Sequence, residues 1–181
     1  MLYKFFWVIR ALFFKSYFKE IGFPSYIGKP TFLMGGRRVY IGKYVRVFPG
    51  MRLEVHGEGI LNIKDDVSIG QNLHLACGKK ITIESGVVIS GNVLIIDIDH
   101  SYDDLEKSVL NQKDTYKETY IGENCFLGHG AKVLAGTNLG RNCIVGANAV
   151  VRGTYADYSI LAGNPAKVIK SFNGEKWVKH D

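Results

Sequence analysis

From residue 41 onward the apolar positions recur every six residues, a period that is neither helical nor a simple alternation. The first residues of successive hexads are Ile41, Val47 and Leu53; Ile63, Ile69 and Leu75; Ile83, Ile89 and Ile95; Ile121, Leu127 and Val133; and Leu139, Val145 and Val151. All fifteen are Ile, Leu or Val, although these types make up only 47 of the 181 residues. Gly follows at 42, 70, 122, 128, 140 and 146, where a corner calls for a positive φ. Late in the chain the fifth hexad position turns small: Cys125, Ala131, Thr137, Cys143 and Ala149.

The hexads group in threes, so one coil takes 18 residues, and the pattern breaks only after a third hexad. The breaks are residues 59–62, 81–82 and a twenty-residue segment, 101–120. Three short strands per coil predict a triangular prism whose insertions all leave from one corner. Ile27, Leu33 and Val39 suggest an irregular earlier coil. No coil buries its own apolar face, so stacking supplies the core and the ends need caps.

Residues 1–23 break the pattern with MLYKFFWVIRALFFKSYFKEIGF, strongly aromatic and punctuated by Lys4, Arg10, Lys15 and Lys19. The segment predicts an amphipathic helix that Gly22 ends, with Lys4, Lys15 and Lys19 within about 60° on the helical wheel. No apolar run reaches the roughly 18–20 residues of a spanning helix, and no small-residue cleavage site follows. Such a helix either lies in a membrane interface through residues 1–20 or caps the prism and packs on a sister subunit.

The net charge of +6 is uneven: residues 1–50 carry nine Lys/Arg against Glu20 alone, and the remainder is slightly acidic. The basic excess thus belongs to the N-terminal segment, which argues against nucleic-acid binding by the whole chain. Three cysteines are too few for a disulfide framework and fit a reducing, cytoplasmic setting. Cys125 and Cys143, 18 residues apart, are expected to stack inside the prism as reduced thiols; Cys77 is uncommitted.

Residues 95–104 read Ile-Ile-Asp-Ile-Asp-His-Ser-Tyr-Asp-Asp. His100 stands where the longest insertion departs, held by regular strands yet open to a loop-covered corner, a sound place for a general base. Asp97, Asp99, Asp103 and Asp104 lie close by, and sequence leaves open which of them supports the imidazole. His74, His100 and His129 lack the paired spacing of a zinc site between subunits, and no metal is expected.

Four stretches resemble the hexapeptide-repeat acetyltransferases: Asp-His at 99–100, Tyr-Ile-Gly-Glu-Asn-Cys-Phe-Leu-Gly at 120–128, Ile-Val-Gly-Ala-Asn-Ala-Val-Val at 144–151, and Ala-Gly-Asn-Pro-Ala-Lys-Val-Ile-Lys at 162–170. The likeness covers about 130 residues and is nearest to the O-acetyltransferases of lipopolysaccharide and capsule assembly and to the maltose, galactoside and xenobiotic acetyltransferases. It implies an all-β chain: a left-handed parallel β-helix of about five to six coils, residues 27–164. Residues 1–26 form the helical appendage and residues 165–181 a short C-terminal tail or helix. It implies acetyl-CoA-dependent transfer of an acetyl group to a sugar hydroxyl, in surface-polysaccharide biosynthesis, with His100 as base and Asp99 beside it. The same base would serve N-acetylation of an amino sugar. A non-catalytic trimeric scaffold is the reading outside the enzyme class.

The resemblance further implies a homotrimer with coenzyme A in the groove between neighbouring prisms. Phe126, Gly128, His129, Gly146 and Ala147 would line the pantetheine arm, and Arg152, Lys167 and Lys170 would meet the phosphates. Asn72, in Gly-Gln-Asn-Leu-His, matches a position that touches the acceptor, and Asp97 is a second candidate there.

Overall fold

The computed structural model describes residues 2–180; Met1 and Asp181, the ends of the two terminal segments, lie outside the described residues. The hexads do form a three-faced prism. Face one holds seven parallel strands, from Glu20–Ile21 to Thr154–Tyr155. Face two holds seven more, from Tyr26–Ile27 to Ser159–Gly163, and face three holds six, from Phe32–Met34 to Val150–Val151. The architecture fits the left-handed parallel β-helix that the resemblance implies. It has about seven coils, not five to six, because residues 20–34 form a first coil and residues 154–163 an incomplete last one.

All fifteen hexad-leading residues are buried, none more than 3% exposed. Each such side chain contributes about 1.5–3 kcal/mol of transfer free energy. The fifth hexad position shares the interior: Val45, Val67, Leu73, Cys125, Ala131 and Cys143 are all buried. Cys125 and Cys143 are free thiols in the prism, donating to the carbonyls of Gly140 and Ala156.

The glycines work differently from the expectation. Positive φ falls not on Gly42, 70, 122, 128, 140 or 146 but on the fourth hexad position. Asn72, Asn92, Asn124, Asn142 and Asn148 stand there at φ 55–59°. Asn tolerates the left-handed region better than most side-chain-bearing residues. The glycines at the second position are required by stacking: a Cβ on Gly122 would lie 2.6 Å from Gly140 C, and one on Gly128 2.6 Å from Ala147 N.

The N-terminal helix spans Leu2–Phe14, shorter than expected, and Gly22 does not end it. The chain turns at residues 15–17 so that Phe18, 1% exposed, plugs the open end of the prism. Glu20–Ile21 then joins face one beside Tyr40–Ile41. On the inner side of the helix Ala11 is buried, and Trp7 packs on Tyr26 and Phe48. Arg10 Nη1 donates to the carbonyl of Ile27 at 3.2 Å, filling an acceptor at the end of the sheet. Lys15 and Lys19 lie beyond the helix, so the expected cationic stripe is not on it; Lys4 sits over the Tyr26 ring. The outward face is aromatic instead, with Phe5, Phe6, Leu12 and Phe13 exposed.

The C-terminal segment is neither loose tail nor helix. Ala166–Phe172 returns antiparallel along Ser159–Gly163, and Trp177–Lys179 adds a further antiparallel strand. Reversing direction ends the parallel stack and covers its last edge.

Candidate active site

The 101–120 insertion leaves from the corner between faces three and one. It is a hairpin excursion rather than an open loop: Asp114–Tyr116 pairs antiparallel with Ile98–His100, placing His100 opposite Asp114. Thr119 Oγ1 donates to the Ile96 carbonyl at 2.8 Å, and Lys117 N to the Asp97 carbonyl at 2.9 Å, zipping the base of the hairpin. Farther out, Gln112 ties the hairpin to itself by bonding both backbone groups of Asp104.

His100 Nδ1 lies 2.7 Å from Asp114 Oδ1. A carboxylate there accepts the Nδ1 proton and leaves the Nε2 lone pair free to accept a proton. The supporting carboxylate is therefore Asp114, not Asp99. Nothing in a hexad pattern marks Asp114, because it stands inside the insertion; only antiparallel pairing across fourteen residues brings it to His100. Asp99 points elsewhere, as strand alternation requires. Its two oxygens meet Arg152 Nη2 and Nη1, each at 2.9 Å.

Asp97 is not open to a substrate. It is fully buried, and its carboxylate accepts the backbone N–H groups of Gly78, Lys79 and Lys80 at 2.6–2.9 Å. It anchors the turn of the coil below the His100 hairpin. The same carboxylate receives the Cys77 thiol, whose pKa is raised chiefly by burial.

Two cavities flank His100. One, of about 300 Å³, is lined by Asp99, His100, Thr115, Lys117 and Arg152 among others. The other, of about 500 Å³, lies over the outside of face three and includes Glu54, His74, Ile96, His100, Asp114 and Tyr116. Glu54 anchors its floor: Arg52 Nε donates to Oε1, His74 Nε2 is 3.3 Å from Oε1, and His56 Nε2 is 3.6 Å from Oε2. The hydrogen bond from Arg52 holds the Glu54 carboxyl below the usual carboxylate range.

The remaining expected residues gather at a different corner, between faces two and three. Gly128 and Gly146 stack there, since Gly128 N donates to Val145 O and Gly146 N to Leu161 O. Ala147 is exposed beside Gly146, and Phe126 projects from face two, 41% exposed. Lys167 pairs with Ala162 and Lys170 with Ile160 on the returning strand, next to this column. Asn72 belongs here as well, as a positive-φ corner residue whose Nδ2 donates to Asn92 Oδ1 at 3.0 Å. Asn92 Nδ2 in turn lies 3.1 Å from His129 Nε2, so Asn72, Asn92 and His129 form a polar ladder up the corner. Asn92 carried no signal apart from its hexad position. Arg152 leaves the column: it stands at the His100 corner and is engaged by Asp99.

Among the described residues no group of three or more His, Cys, Asp or Glu could hold a metal ion, and no helix is long and apolar enough to cross a membrane.

Hexads stacked into a three-faced parallel prism define the class of hexapeptide-repeat proteins. The family model for the bacterial transferase hexapeptide (six repeats) matches residues 118–153. WbbJ of Escherichia coli K12, by name a lipopolysaccharide biosynthesis O-acetyl transferase, is 32% identical over 162 residues, covering 86% of this chain and 80% of its own. The galactoside O-acetyltransferase of Lactococcus lactis is 27% identical over 169 residues, covering 92% and 70%. Among solved structures, a point variant of AntD, an N-acyltransferase of Bacillus cereus in complex with dTDP and coenzyme A, superposes with a TM-score of 0.79 at 17% identity, covering 92% of this chain and 90% of that one. A hexapeptide-repeat acetyltransferase of Vibrio cholerae complexed with acetyl coenzyme A superposes with a TM-score of 0.62 at 19% identity, covering 90% and 76%. The chain belongs to the hexapeptide-repeat family and is an acyltransferase.

Proposed function

We propose that the protein is an acetyl-CoA-dependent O-acetyltransferase that acts on a sugar hydroxyl in the assembly of a surface polysaccharide. The observation that carries this is the His100–Asp114 pair, 2.7 Å apart on a hairpin bordered by two cavities. His100 Nε2 takes the proton of the acceptor hydroxyl as that oxygen attacks the acetyl carbonyl carbon. The carbon–sulfur bond breaks, and the proton passes from His100 to the departing thiolate of CoA. The chain's own Ser and Cys side chains need form no covalent intermediate. The names of the Escherichia coli and lactococcal relatives support a sugar hydroxyl as acceptor.

Phe126, Gly128, His129, Gly146 and Ala147, with Lys167 and Lys170, hold acetyl-CoA along the corner between faces two and three. Their nearness along one column supports this. That corner and the His100 corner lie at opposite edges of face three, so a second copy that sets its glycine corner beside His100 completes the site. Cyclic closure of that contact gives a trimer. Light scattering tests it, and a monomer at working concentration overturns it. The enzyme works at the inner face of the cytoplasmic membrane, close to a lipid-linked acceptor; the exposed Phe5, Phe6 and Phe13 of the N-terminal helix support this reading.

The test is acetyl-CoA turnover, read by thiol release over a panel of sugars and nucleotide sugars, for wild type and His100→Ala. A fall of about 10²-fold or more with CoA binding intact supports the base. Equal rates overturn it. Mild alkali then separates the ester product from the amide that N-acetylation of an amino sugar would leave.

A further inference from the structure

The outer surface of face three carries two side-by-side ladders below the catalytic hairpin. In one, Arg52, His74 and Leu94 are in register; in the other, Glu54, Ala76 and Ile96. Over the stretch that lines the cavity both ladders run from charged to apolar, and the apolar end lies under His100, Asp114 and Tyr116. The half-open cavity of about 500 Å³ falls within the range of ligand sites, roughly 300–1,000 Å³.

The floor is chemically specific. Glu54 is mostly withdrawn from solvent, its side chain 14% exposed. Its Oε1 is engaged by Arg52 and His74. Among the described residues, Oε2 meets only His56 Nε2, at 3.6 Å, longer than a hydrogen bond. That oxygen has lone-pair capacity for a donor from outside the protein. The imidazoles of His56 and His74 flank it, half-exposed, with side-chain accessibilities of 42% and 45%. The cavity's one arginine, Arg52, is committed to Glu54, so no uncommitted guanidinium greets an anion there.

We propose that this cavity is the acceptor subsite and that Glu54 is its anchoring residue, selecting an uncharged pyranose ring. Glu54 Oε2 accepts from one ring hydroxyl while His56 or His74 bonds its neighbour. The C–H face of the ring lies on Leu94 and Ile96, which turns the far side of the ring toward His100. The assignment rests on the acetyl-transfer reading above and deepens it by naming the acceptor as neutral and ring-shaped. A sugar phosphate would place its charge against Glu54 with no free cation to offset it.

The experiment follows binding directly, apart from turnover. The full chain carrying isotope-labelled histidine is titrated with methyl α-D-glucopyranoside, methyl α-D-galactopyranoside and methyl α-L-rhamnopyranoside, and with glucose 6-phosphate for contrast. Imidazole signals are assigned by single His→Gln variants. At least one methyl glycoside is expected to move the His56, His74 and His100 signals and to leave His180 still. Glu54→Gln is expected to weaken that binding about tenfold or more, as loss of a charge-assisted hydrogen bond does. Glu54→Asp, which keeps the carboxylate, separates loss of charge from loss of fold.

Binding by no methyl glycoside, unchanged binding in Glu54→Gln, or stronger binding of glucose 6-phosphate overturns the proposal. The two readings fail separately. Acetyl transfer that depends on His100 without movement of His56 and His74 removes the subsite alone. Glu54-dependent binding without acetyl transfer removes the transferase reading and leaves a glycan site.

Discussion

Asp99 and Arg152, 53 residues apart, form a two-pronged ion pair with both N–O distances at 2.9 Å. Asp99 sits on the hairpin strand Ile98–His100 and Arg152 directly follows Val150–Val151 of face three. The pair therefore ties the hairpin to a coil two turns up the stack. Both partners are partly exposed, Asp99 with 31% side-chain accessibility and Arg152 with 49%, so the contribution to global stability stays within about 1 kcal/mol. Its effect is on position. Asp99→Asn or Arg152→Gln is expected to lower kcat about tenfold through misplacement of His100, with global unfolding little changed. Backbone hydrogen exchange at residues 98–100 and 114–116 should quicken in both. The exchanged pair, Asp99→Arg with Arg152→Asp, should recover part of the protection. Normal protection in the single variants would dismiss the tie.

Asp114 plays a separate part from Asp99. Asp114→Asn keeps the size of the side chain, yet an amide can present its N–H₂ to Nδ1 and favour the wrong tautomer. A kcat loss of about 10²-fold is expected, with CoA affinity within twofold of wild type. Steady-state kinetics beside CoA titration calorimetry check this. Equal losses from Asp99→Asn and Asp114→Asn, with equal hairpin protection, would erase the distinction between holding the base and holding the hairpin.

The stacking glycines make a stability prediction. Gly122→Ala or Gly128→Ala sets a Cβ 2.6 Å from backbone of the next coil, which no rotamer can relieve. Each is expected to cost about 1–3 kcal/mol, as overpacking does. Asn124→Gly, at a φ of 56°, is expected to be neutral within about 0.5 kcal/mol. Urea midpoints for the three variants decide whether close approach or positive φ is the stronger constraint.

That contrast also shows what the sequence could and could not reveal. The hexad leaders were legible because period six places one residue of each strand inside the prism, and all fifteen are buried. The glycines were legible as a pattern but not as a cause, since a repeat does not say whether the backbone or its neighbour forbids a side chain. His100 was legible as the end of a regular run. Its partner Asp114 was not, because antiparallel pairing inside an insertion leaves no period to read. Asp97 and Asp99 flank Ile98 in sequence, yet one is buried against backbone N–H groups and the other meets Arg152. Only three-dimensional placement separates those roles. The first coil was legible only in part, through Ile27 and Leu33, because its first strand, Glu20–Ile21, lies inside the aromatic segment whose composition reads as helix.

Glu54 links the site to acid stability. Its folded pKa is depressed, first by the Arg52 hydrogen bond. A depressed carboxyl contributes stability that is present above the unfolded carboxylate pKa and is lost as pH falls through the lower folded value. Glu54→Gln should therefore flatten the stability profile on the acid side of about pH 4.3, the ordinary glutamate value. At neutral pH the wild type keeps the advantage. Urea unfolding at stepped pH reads this out; parallel profiles for the two proteins would show that Arg52 does not hold the carboxyl down.

The N-terminal helix has an inward and an outward face, and a deletion would confound them. Removing residues 1–19 would also remove Ala11 and Phe18, both buried against the first coil. The outward face can be altered alone: Phe5 is 62% exposed, Phe6 57% and Phe13 75%. Aromatic rings on one side of a helix, set on the basic end of the chain, suit the headgroup layer of an anionic bilayer. The triple change Phe5→Ser, Phe6→Ser and Phe13→Ser is expected to leave the unfolding midpoint nearly unchanged and to cut sedimentation with phosphatidylglycerol vesicles by about tenfold. If wild type and variant sediment alike, the membrane reading of this face falls. If the variant instead loses its oligomeric state by light scattering, the same rings pack between copies of the chain.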